Sequence, residues 1–419
     1  FYAITGAIFI QPFFFSSLHN LPTATQKPIW ARLLKEPTGR DLARFHEQAS
    51  TSQLIRYFGV LNSERVLLMD PKDIKQVMDA EAYEFGRSYL IRRLLSPALG
   101  KTSLVVTDGP DHMRCRKIVD ADFYTQHENA RLLVEDVTTS STDRDGQPLG
   151  PDNAIEVLKW LERATFRINI LDTAIKSEDL SDEEILDLCT TFLATGYRTV
   201  SVALAWAIYH LSTRPGVQAL LRTEVRANFP APDQSGALPL ASDLLQKMPV
   251  LAAVCDETLR FSPLAALTYR EVRTDTLLSG SNQIIPEGTI LAISPWAIHR
   301  SPIYWRSGDP TSEPSTASRT AIPSPSTWDM TRWLSDKKGG ARMQCSFMPF
   351  GRGPRCCIAE AFARDEMMIL LAALVGIFDL SFHSSGRDHD PRPEELRVSF
   401  GVVTEPVMLI VRAQPVFGW

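Results

Sequence analysis

The chain has 419 residues, of which 44% are hydrophobic and 22% are charged, the ordinary composition of a globular protein. Its 22 glycines and 28 prolines are close to average usage, which excludes a collagen-like or low-complexity chain. The formal net charge of −5 argues against nucleic acid as a partner, because phosphate binding needs a concentrated positive face. Six cysteines are too few in so long a chain for a disulfide scaffold, and no pair has the C-x-x-C spacing of a zinc or redox site.

The chain opens on an almost wholly apolar stretch, residues 1–15, interrupted by Gln11 and Pro12. This stretch is shorter than the about 20 apolar residues that span a bilayer. We interpret residues 1–25 as the remnant of an N-terminal membrane anchor with its linker, the alternative being a buried or signal segment. Residues 26–419 are then expected to form one domain.

Helical patterns dominate the rest of the chain. Residues 54–70 predict a β-hairpin that turns at Leu61, Asn62 and Ser63. Ser181, followed three residues later by Glu184, forms a capping box that opens a long apolar helix running to Thr213. The other predicted helices cover 71–83, 112–123, 217–229, 249–262 and the segment from Cys357 to about Phe378, and short strands are expected near 55–70, 265–295 and 395–412.

Residues 307–327 interrupt these patterns. Ser, Thr and Pro supply 14 of the 21 positions, so the segment has little apolar surface to bury. We therefore expect a mobile loop here.

The most informative segment is the loop FMPFGRGPRCCIAE at 347–360. Its glycines and proline predict a tight turn of special geometry. Because a helix is expected to follow at once, Cys357 is placed at a helix N-terminus, where the partial positive charge and nearby arginines favour the thiolate. Such a thiolate suits a metal or a nucleophilic role, and the alternative is a pair of buried structural cysteines beside a turn.

This loop resembles the haem-binding loop of the cytochrome P-450 superfamily, whose pattern is Phe-x-x-Gly-x-Arg-x-Cys-x-Gly. Phe350, Gly353, Arg355 and Cys357 stand on the pattern in register, and Ala359 replaces its final glycine. The resemblance implies haem b (iron protoporphyrin IX) with Cys357 as its axial thiolate ligand. A thiolate ligand favours O–O cleavage, so the resemblance implies monooxygenation rather than electron transfer.

A second set of residues resembles the structural motif of the same family. Glu257 and Arg260 lie three residues apart on one face of a predicted helix that ends at Pro263. The family closes this pair with an arginine in a Trp-Asp-x-x-Arg-Trp-like segment, and Arg332 stands at that position. The resemblance implies that these three residues brace the fold behind the haem loop.

Haem carries two propionates that need cations, and arginine can bind a carboxylate with two parallel hydrogen bonds. In this family the cations come from several segments. The resemblance assigns them here to His112, Arg116, Arg270 and Arg355.

Residues 194–201 of the long helix resemble the family's oxygen-activating groove. Gly196 is disfavoured within a helix by about 1 kcal/mol relative to alanine, so a reason other than helix propensity is expected for it. Thr199 falls on the threonine that orients bound dioxygen and its protonating water, and is the catalytic residue that the resemblance implies. Arg198 replaces an acidic residue, and a guanidinium does not relay protons, so we expect oxygen activation to be slow, uncoupled or routed through water.

A further departure lies before the long helix. Only ten residues, 171–180, separate a helix ending near Ile170 from the capping box, too few for the two helices that roof the family's substrate pocket. Together with the run at 307–327, this indicates a partly deleted or mis-spliced gene product. The expected fold is therefore mainly α with minor β, a cytochrome P-450 fold that lacks these roof helices.

The resemblance implies a haem-thiolate monooxygenase that inserts one oxygen atom from O₂ into an apolar organic substrate, with electrons from an NADPH-dependent flavoprotein reductase. Residues 264–267 are expected to line the substrate pocket. Similarity to fungal microsomal members indicates the endoplasmic reticulum membrane, bound through the N-terminus with the catalytic domain cytosolic. Lys337, Lys338, Arg342 and Arg352 form either a reductase-docking patch or a set of solvated charges.

Three rival functions stay open. A catalytically impaired haem-binding remnant would keep a normal haem spectrum without substrate-dependent NADPH consumption. A haem-thiolate isomerase or peroxide-using enzyme would need no proton relay. A structural membrane-associated protein with buried cysteines would carry no haem at all.

Overall fold

The computed structural model is described over most of the chain. Three sequence predictions fall wholly or mainly outside the described part: the anchor segment, the shortened connection at 171–180 and the run at 307–327. The described residues are 14–24, 28–49, 52–123, 154–158, 161, 179–229, 245–305, 323–335, 338–341, 343, 345–383 and 396–418.

The predicted helices and strands are present, with others that the patterns did not indicate. The helix predicted over 71–83 is shorter than expected, since its α-helical part ends at Lys75 and a π-helical turn covers Gln76–Ala80. The described helices are α1 (Ile29–Arg32), α2 (Gly39–Gln48), α3 (Pro71–Lys75), α4 (Tyr89–Leu99), α5 (Gly109–Phe123), α6 (Asp182–Ser212), α7 (Pro215–Asn228), α8 (Pro249–Phe261), α9 (Pro295–Ile298), α10 (Thr331–Ser335) and α11 (Glu360–Ile377). The described strands are β1 (Leu54–Phe58), β2 (Glu64–Leu68), β3 (Phe85–Gly86), β4 (Ala154–Glu156), β5 (Thr268–Val272), β6 (Thr276–Leu278), β7 (Gln283–Ile285), β8 (Ile290–Ile293), β9 (Phe378–Phe382), β10 (Val398–Phe400), β11 (Thr404–Pro406) and β12 (Ile410–Pro415).

The chain divides into two compact units, each made of three segments that are distant in sequence. The first unit holds Phe1–Cys115, Ala265–Thr327 and Gly340–Cys357. The second unit holds Arg116–Leu264, Trp328–Gly339 and Ile358–Trp419. Within the described ranges, none of the helices combines the length and the apolar character needed to cross a membrane.

A five-stranded sheet in the order β1-β2-β8-β5-β3 organises the first unit. The predicted hairpin is β1 paired antiparallel with β2, and the turn between them places Leu61 and Asn62 in the left-handed region. Helix α2, which the sequence patterns did not indicate, packs on this sheet. Leu42 and Phe45 of α2 share one buried cluster with Tyr57 of β1. Apolar burial between helix and sheet thus holds the unit together.

The second unit is built around α6, a helix of 31 residues. The predicted capping box is confirmed: the Ser181 hydroxyl accepts from the Glu184 N–H, and the Glu184 carboxylate accepts from the Ser181 N–H. Every residue from 200 to 211 is buried, which is typical of a helix surrounded by protein on all sides. Pro215 is the first residue of α7, a position where its missing N–H costs nothing.

The Glu257 carboxylate accepts hydrogen bonds from several donors inside the second unit. Glu257, Arg260 and Arg332 are all fully buried, and the side-chain nitrogens of the two arginines lie 2.8 and 3.0 Å from Glu257 Oε2. The Asp329 N–H and the Trp333 indole N–H also donate to Glu257, at 2.7 and 3.0 Å. The structure therefore brings together the three residues that the sequence pattern selected.

Replacing Glu257 with Gln should lower the free energy of unfolding by about 3–5 kcal/mol, because two buried guanidinium groups lose their counter-charge. Urea denaturation measures the change. Arg44→Gln is the matched control, since the Arg44 side chain is 61% exposed in its ion pair with Asp41 and the loss there should stay below about 1 kcal/mol. Equal losses in the two variants would contradict this account.

Candidate functional site

The loop that precedes Cys357 follows a tightly constrained path. Gly351 and Gly353 both adopt left-handed backbone angles, with φ of +77° and +71°. A 3₁₀ turn then covers Gly353–Arg355, and the Cys357 N–H donates back to the Phe350 carbonyl at 2.8 Å. Residues 347–357 are called the Cys loop below. Its last residue, Cys357, is exposed, whereas its neighbour Cys356 is half-buried.

Gly353 is required because another backbone lies against it. A Cβ atom at this position would lie 1.9 Å from the Met78 carbonyl oxygen, far inside van der Waals contact. Beside this approach, Arg352 forms an ion pair with Asp79. The Cys loop is therefore held on the segment around residue 78 by a close backbone contact and a charge pair.

The helix after the Cys loop begins later than the sequence suggested. Its N-cap is Ala359, so α11 starts at Glu360 and Cys357 precedes the first helical residue by three positions. Ala359 has no side chain able to cap the helix. The expected contribution of the helix N-terminus to the thiolate is correspondingly weaker, because that effect falls off within the first turn.

Asp108 lies at the centre of a charged cluster in the first unit. It accepts a hydrogen bond from the Arg87 N–H at 2.7 Å and from the Arg273 guanidinium at 2.8 Å, and it forms an ion pair with Arg355. Burial alone would raise the pKa of Asp108. The hydrogen bonds and the two guanidinium groups instead lower it to about 2, so Asp108 is a carboxylate at neutral pH.

Arg270 belongs to the same cluster and lacks a carboxylate of its own among the described residues. Its side chain is buried, and its Nη1 donates to the Tyr269 carbonyl at 2.8 Å. Burial, together with repulsion from Arg87 and Arg355, lowers the pKa of Arg270 to about 9 despite the attraction of Asp108. The cluster thus contains more positive than negative charge.

His112 is connected to this cluster through an aromatic ring. The Tyr83 hydroxyl lies 2.9 Å from His112 Nδ1, and the Arg355 guanidinium stacks over the Tyr83 ring at 4.7 Å. Arg116, in contrast, belongs to the second unit, where its guanidinium lies 3.9 Å from the Asp120 carboxylate.

Sequence reasoning missed Tyr83, Arg87 and Asp108. Asp108 accepts a hydrogen bond from the N–H of Arg87, which is 21 residues away in the sequence, and another from the side chain of Arg355, which is 247 residues away. No local spacing indicates such contacts. A buried carboxylate shared by several arginines becomes visible only once the chain is folded.

The middle of α6 is open on one side. Ala194 and Thr195 are exposed, and a Cβ on Gly196 would meet no atom within 4 Å among the described residues. The Thr199 hydroxyl donates to the Thr195 carbonyl at 2.9 Å. Among the described residues, Gly196 therefore faces open space, and no close contact explains why glycine stands there.

Arg198 does not stand alone beside Thr199. Its guanidinium pairs with the Glu405 carboxylate of β11 at 2.6 Å. The neighbouring Thr404 is fixed on both sides, since its N–H donates to the Leu264 carbonyl and its carbonyl accepts from the Trp206 indole N–H. The β10–β11 hairpin is thereby joined to α6 and to the end of the segment after α8.

Comparison with known families completes this description. The family model described as Cytochrome P450 matches residues 166–311 and 318–411 of the chain. The chain belongs to the cytochrome P450 family.

Relatives and solved structures agree with this assignment. A cytochrome P450 monooxygenase, buaD, from Petromyces alliaceus is 34% identical over 98% of this chain and 90% of its own length. Another, sphH, from Aspergillus fumigatus is 25% identical over 98% of this chain and 91% of its own length. The haem domain of a cytochrome P450DA mutant superposes with a TM-score of 0.74 at 19% identity, covering 95% of this chain and 97% of that one. The expected mainly helical P450 fold is confirmed.

The lengths of these alignments bear on the predicted deletion. The comparison with the Aspergillus relative extends over 519 positions, whereas the chain has 419 residues, so at least 100 positions have no counterpart here. The chain is therefore shorter than this relative over the aligned region, and a partly deleted or mis-spliced gene product stays a prediction. The predicted junction at 171–180 lies mainly outside the described residues.

Membership of the P450 family implies haem with a cysteine thiolate ligand, and the residues of the first unit fit this group. The Cys loop presents an exposed thiol, the only type of ligand the family needs from the protein. The Nε atoms of Arg270 and Arg355 are buried without a hydrogen-bond partner among the described residues. The cluster has more guanidinium groups than carboxylates, and two of its guanidinium nitrogens have no acceptor in the described part of the chain. The two carboxylates of haem would supply both the charge and the acceptors.

The predicted basic patch is only partly described. Lys338 is exposed, whereas Lys337 and Arg342 lie outside the described residues. Arg352 is paired with Asp79 and holds the Cys loop. A reductase-docking role for this patch stays a prediction.

Gly353→Ala should prevent the Cys loop from keeping its path, because the new Cβ would overlap the Met78 carbonyl. Gly351→Ala is the matched control. It carries the same left-handed strain of about 1–2 kcal/mol, but its nearest neighbour, the Cys356 Cα, is 3.7 Å away. Thermal unfolding and haem content of the purified variants measure the difference, and similar losses in both would refute the role of the Met78 contact.

Proposed function

We propose that this chain is a haem-thiolate monooxygenase that inserts one oxygen atom from O₂ into an apolar organic substrate, using electrons from an NADPH-dependent flavoprotein reductase. The Cys loop is the observation that carries the proposal. It presents an exposed thiol at the end of a rigid path, and its Arg355 belongs to a buried cluster with excess positive charge. The names of the fungal relatives, cytochrome P450 monooxygenases, support the same reaction class.

Each part of the cluster has a distinct task in this proposal. Cys357 would bind the iron of the haem, while Arg270, Arg355 and His112 would hold its carboxylates. When bound, haem supplies the one-electron and O₂ chemistry that no amino-acid side chain provides. The protein's own contribution is to fix the thiolate, neutralise the carboxylates and exclude competing ligands. The assignment of Arg116 to the same task rests on the resemblance alone.

Thr199 would position the proton that oxygen activation consumes. Its hydroxyl is oriented by the Thr195 carbonyl and lies on the open side of α6. The ion pair with Glu405 neutralises Arg198, so the helix carries no isolated cation beside this hydroxyl. A paired guanidinium still relays no protons, so slow or uncoupled oxygen activation stays a prediction.

The substrate is proposed to be apolar because residues 264–267 are Leu, Ala, Ala and Leu. We also propose attachment to the endoplasmic reticulum membrane through residues 1–25, with residues 26–419 as the cytosolic haem domain. The apolar sequence of this stretch and the exposure of Phe14 and Phe15 support the attachment.

Cys357→Ser should abolish the thiolate-type carbon monoxide difference spectrum of the reduced protein, because the serine hydroxyl is a far poorer iron ligand than a thiolate. Cys356→Ser, one residue away and half-buried, is the control and should keep the spectrum. A wild-type protein purified without haem, or a Cys357→Ser variant with an unchanged spectrum, would overturn the proposal.

Thr199→Ala should lower the product formed per NADPH consumed by roughly tenfold or more, since a positioned proton donor is lost. Thr190→Ala removes the same kind of hydroxyl-to-carbonyl bond from α6, nine residues earlier, and should change the ratio by less than about twofold. Activity with hydroperoxide but none with O₂ and reductase would instead select the peroxide-using alternative.

A further inference from the structure

Asp108 uses both of its carboxylate oxygens to join segments that are far apart in sequence. Oδ2 accepts from the Arg87 N–H at 2.7 Å and from Arg273 at 2.8 Å. Oδ1 accepts from the Gly109 N–H at 3.1 Å and pairs with Arg355. The side chain of Asp108 is only 7% exposed, so these contacts are made with little competition from water.

The position of Arg355 depends on few other contacts. Its Nη1 donates to the Ala82 carbonyl, and its guanidinium stacks on Tyr83. Its Nε has no hydrogen-bond partner among the described residues. Neither the carbonyl nor the ring supplies negative charge, so Asp108 is the carboxylate that holds this buried guanidinium against repulsion from Arg270.

The guanidinium groups of the cluster repel one another. Burial first, and then the nearby Arg87 and Arg355, lower the pKa of Arg270, and the attraction of Asp108 opposes this effect. Without its carboxylate the guanidinium groups would separate, because like charges in a buried region repel strongly. Their spacing, and hence their fit to a second carboxylate-bearing molecule, would be lost.

We propose that Asp108 is a positioning residue for haem binding: it sets Arg355 beside Arg270 in the arrangement that receives the haem carboxylates. The inference rests on the proposed haem function. Asp108 itself would not contact the haem carboxylates, because like charges repel each other. It acts through the arginines, as an outer group acts on the ligands of a metal site.

Metal-free porphyrins isolate this role from iron ligation by Cys357. The test titrates the full-length apoprotein with protoporphyrin IX, which carries two carboxylates, and with its dimethyl ester, which carries none. Porphyrin fluorescence reports both affinities. The ratio of the two affinities measures how well the arginines receive carboxylates, and a general loss of stability does not change it.

In wild-type protein the free acid should bind more tightly than the diester. Asp108→Asn should reduce this ratio by about tenfold, the scale on which outer groups influence ligand binding. Asp79→Asn is the matched control, because it removes another carboxylate–arginine pair on the same loop, that with Arg352, outside the cluster. There, any loss of affinity should be shared by both porphyrins and leave the ratio unchanged.

The outcomes separate the two proposals. Wild-type protein that binds neither porphyrin contradicts the proposed haem function. Wild-type protein that prefers the free acid, with an unchanged ratio in Asp108→Asn, overturns the role of Asp108 alone. Asp108→Glu decides the matter if the Asn variant does not fold. It keeps the charge but displaces the carboxylate, so a reduced ratio supports positioning and a wild-type ratio overturns it.

Discussion

The close approach of Gly353 to the Met78 carbonyl constrains everything else at the site. Only a residue without a side chain fits there, and only glycine adopts the required backbone angle readily. With this contact made, the Cys357 N–H can return to the Phe350 carbonyl. The same turn places Arg355 on Tyr83 and Asp108. The glycine of the motif is therefore needed for its backbone conformation and its lack of a side chain, not for any reactive group. Through that conformation it positions both the thiol of Cys357 and the guanidinium of Arg355.

The arginine cluster illustrates how an imbalance of charge indicates a ligand. Burying a guanidinium without a partner is unfavourable, so a folded protein normally supplies a carboxylate for each one. Here Asp108 serves both Arg355 and Arg273, and Arg270 has no carboxylate of its own among the described residues. Glu257, with two arginines and two further donors, shows that a single carboxylate can serve two buried guanidinium groups. The difference is that both arginines of that set contact its carboxylate, whereas Arg270 has no carboxylate partner among the described residues.

Sequence patterns predicted those parts of the molecule whose structure is set by residues close together in the chain. The capping box at Ser181, the hairpin of β1 and β2, and the turns within the Cys loop depend on neighbouring residues, and each is present. The distant contact of Gly353 with Met78 was not indicated by any pattern. The sheet of β4, β12 and β9 was not anticipated as a unit, because its strands begin at residues 154, 410 and 378. Asp108 was missed for the same reason. Its partners are brought to it by the fold, and no periodicity or spacing encodes them.

Arg198 shows how the same limitation leaves a functional interpretation incomplete. In the sequence it replaces an acidic residue and suggests a damaged proton relay. In the folded chain a carboxylate is present after all, since Glu405 reaches Arg198 from a strand 207 residues further along. The pair also fixes the β10–β11 hairpin on α6, together with the two bonds to Thr404. A substitution that changes the sign of a charge therefore has to be judged by the charge it meets in the fold, because a partner elsewhere in the chain can restore neutrality without restoring the motif.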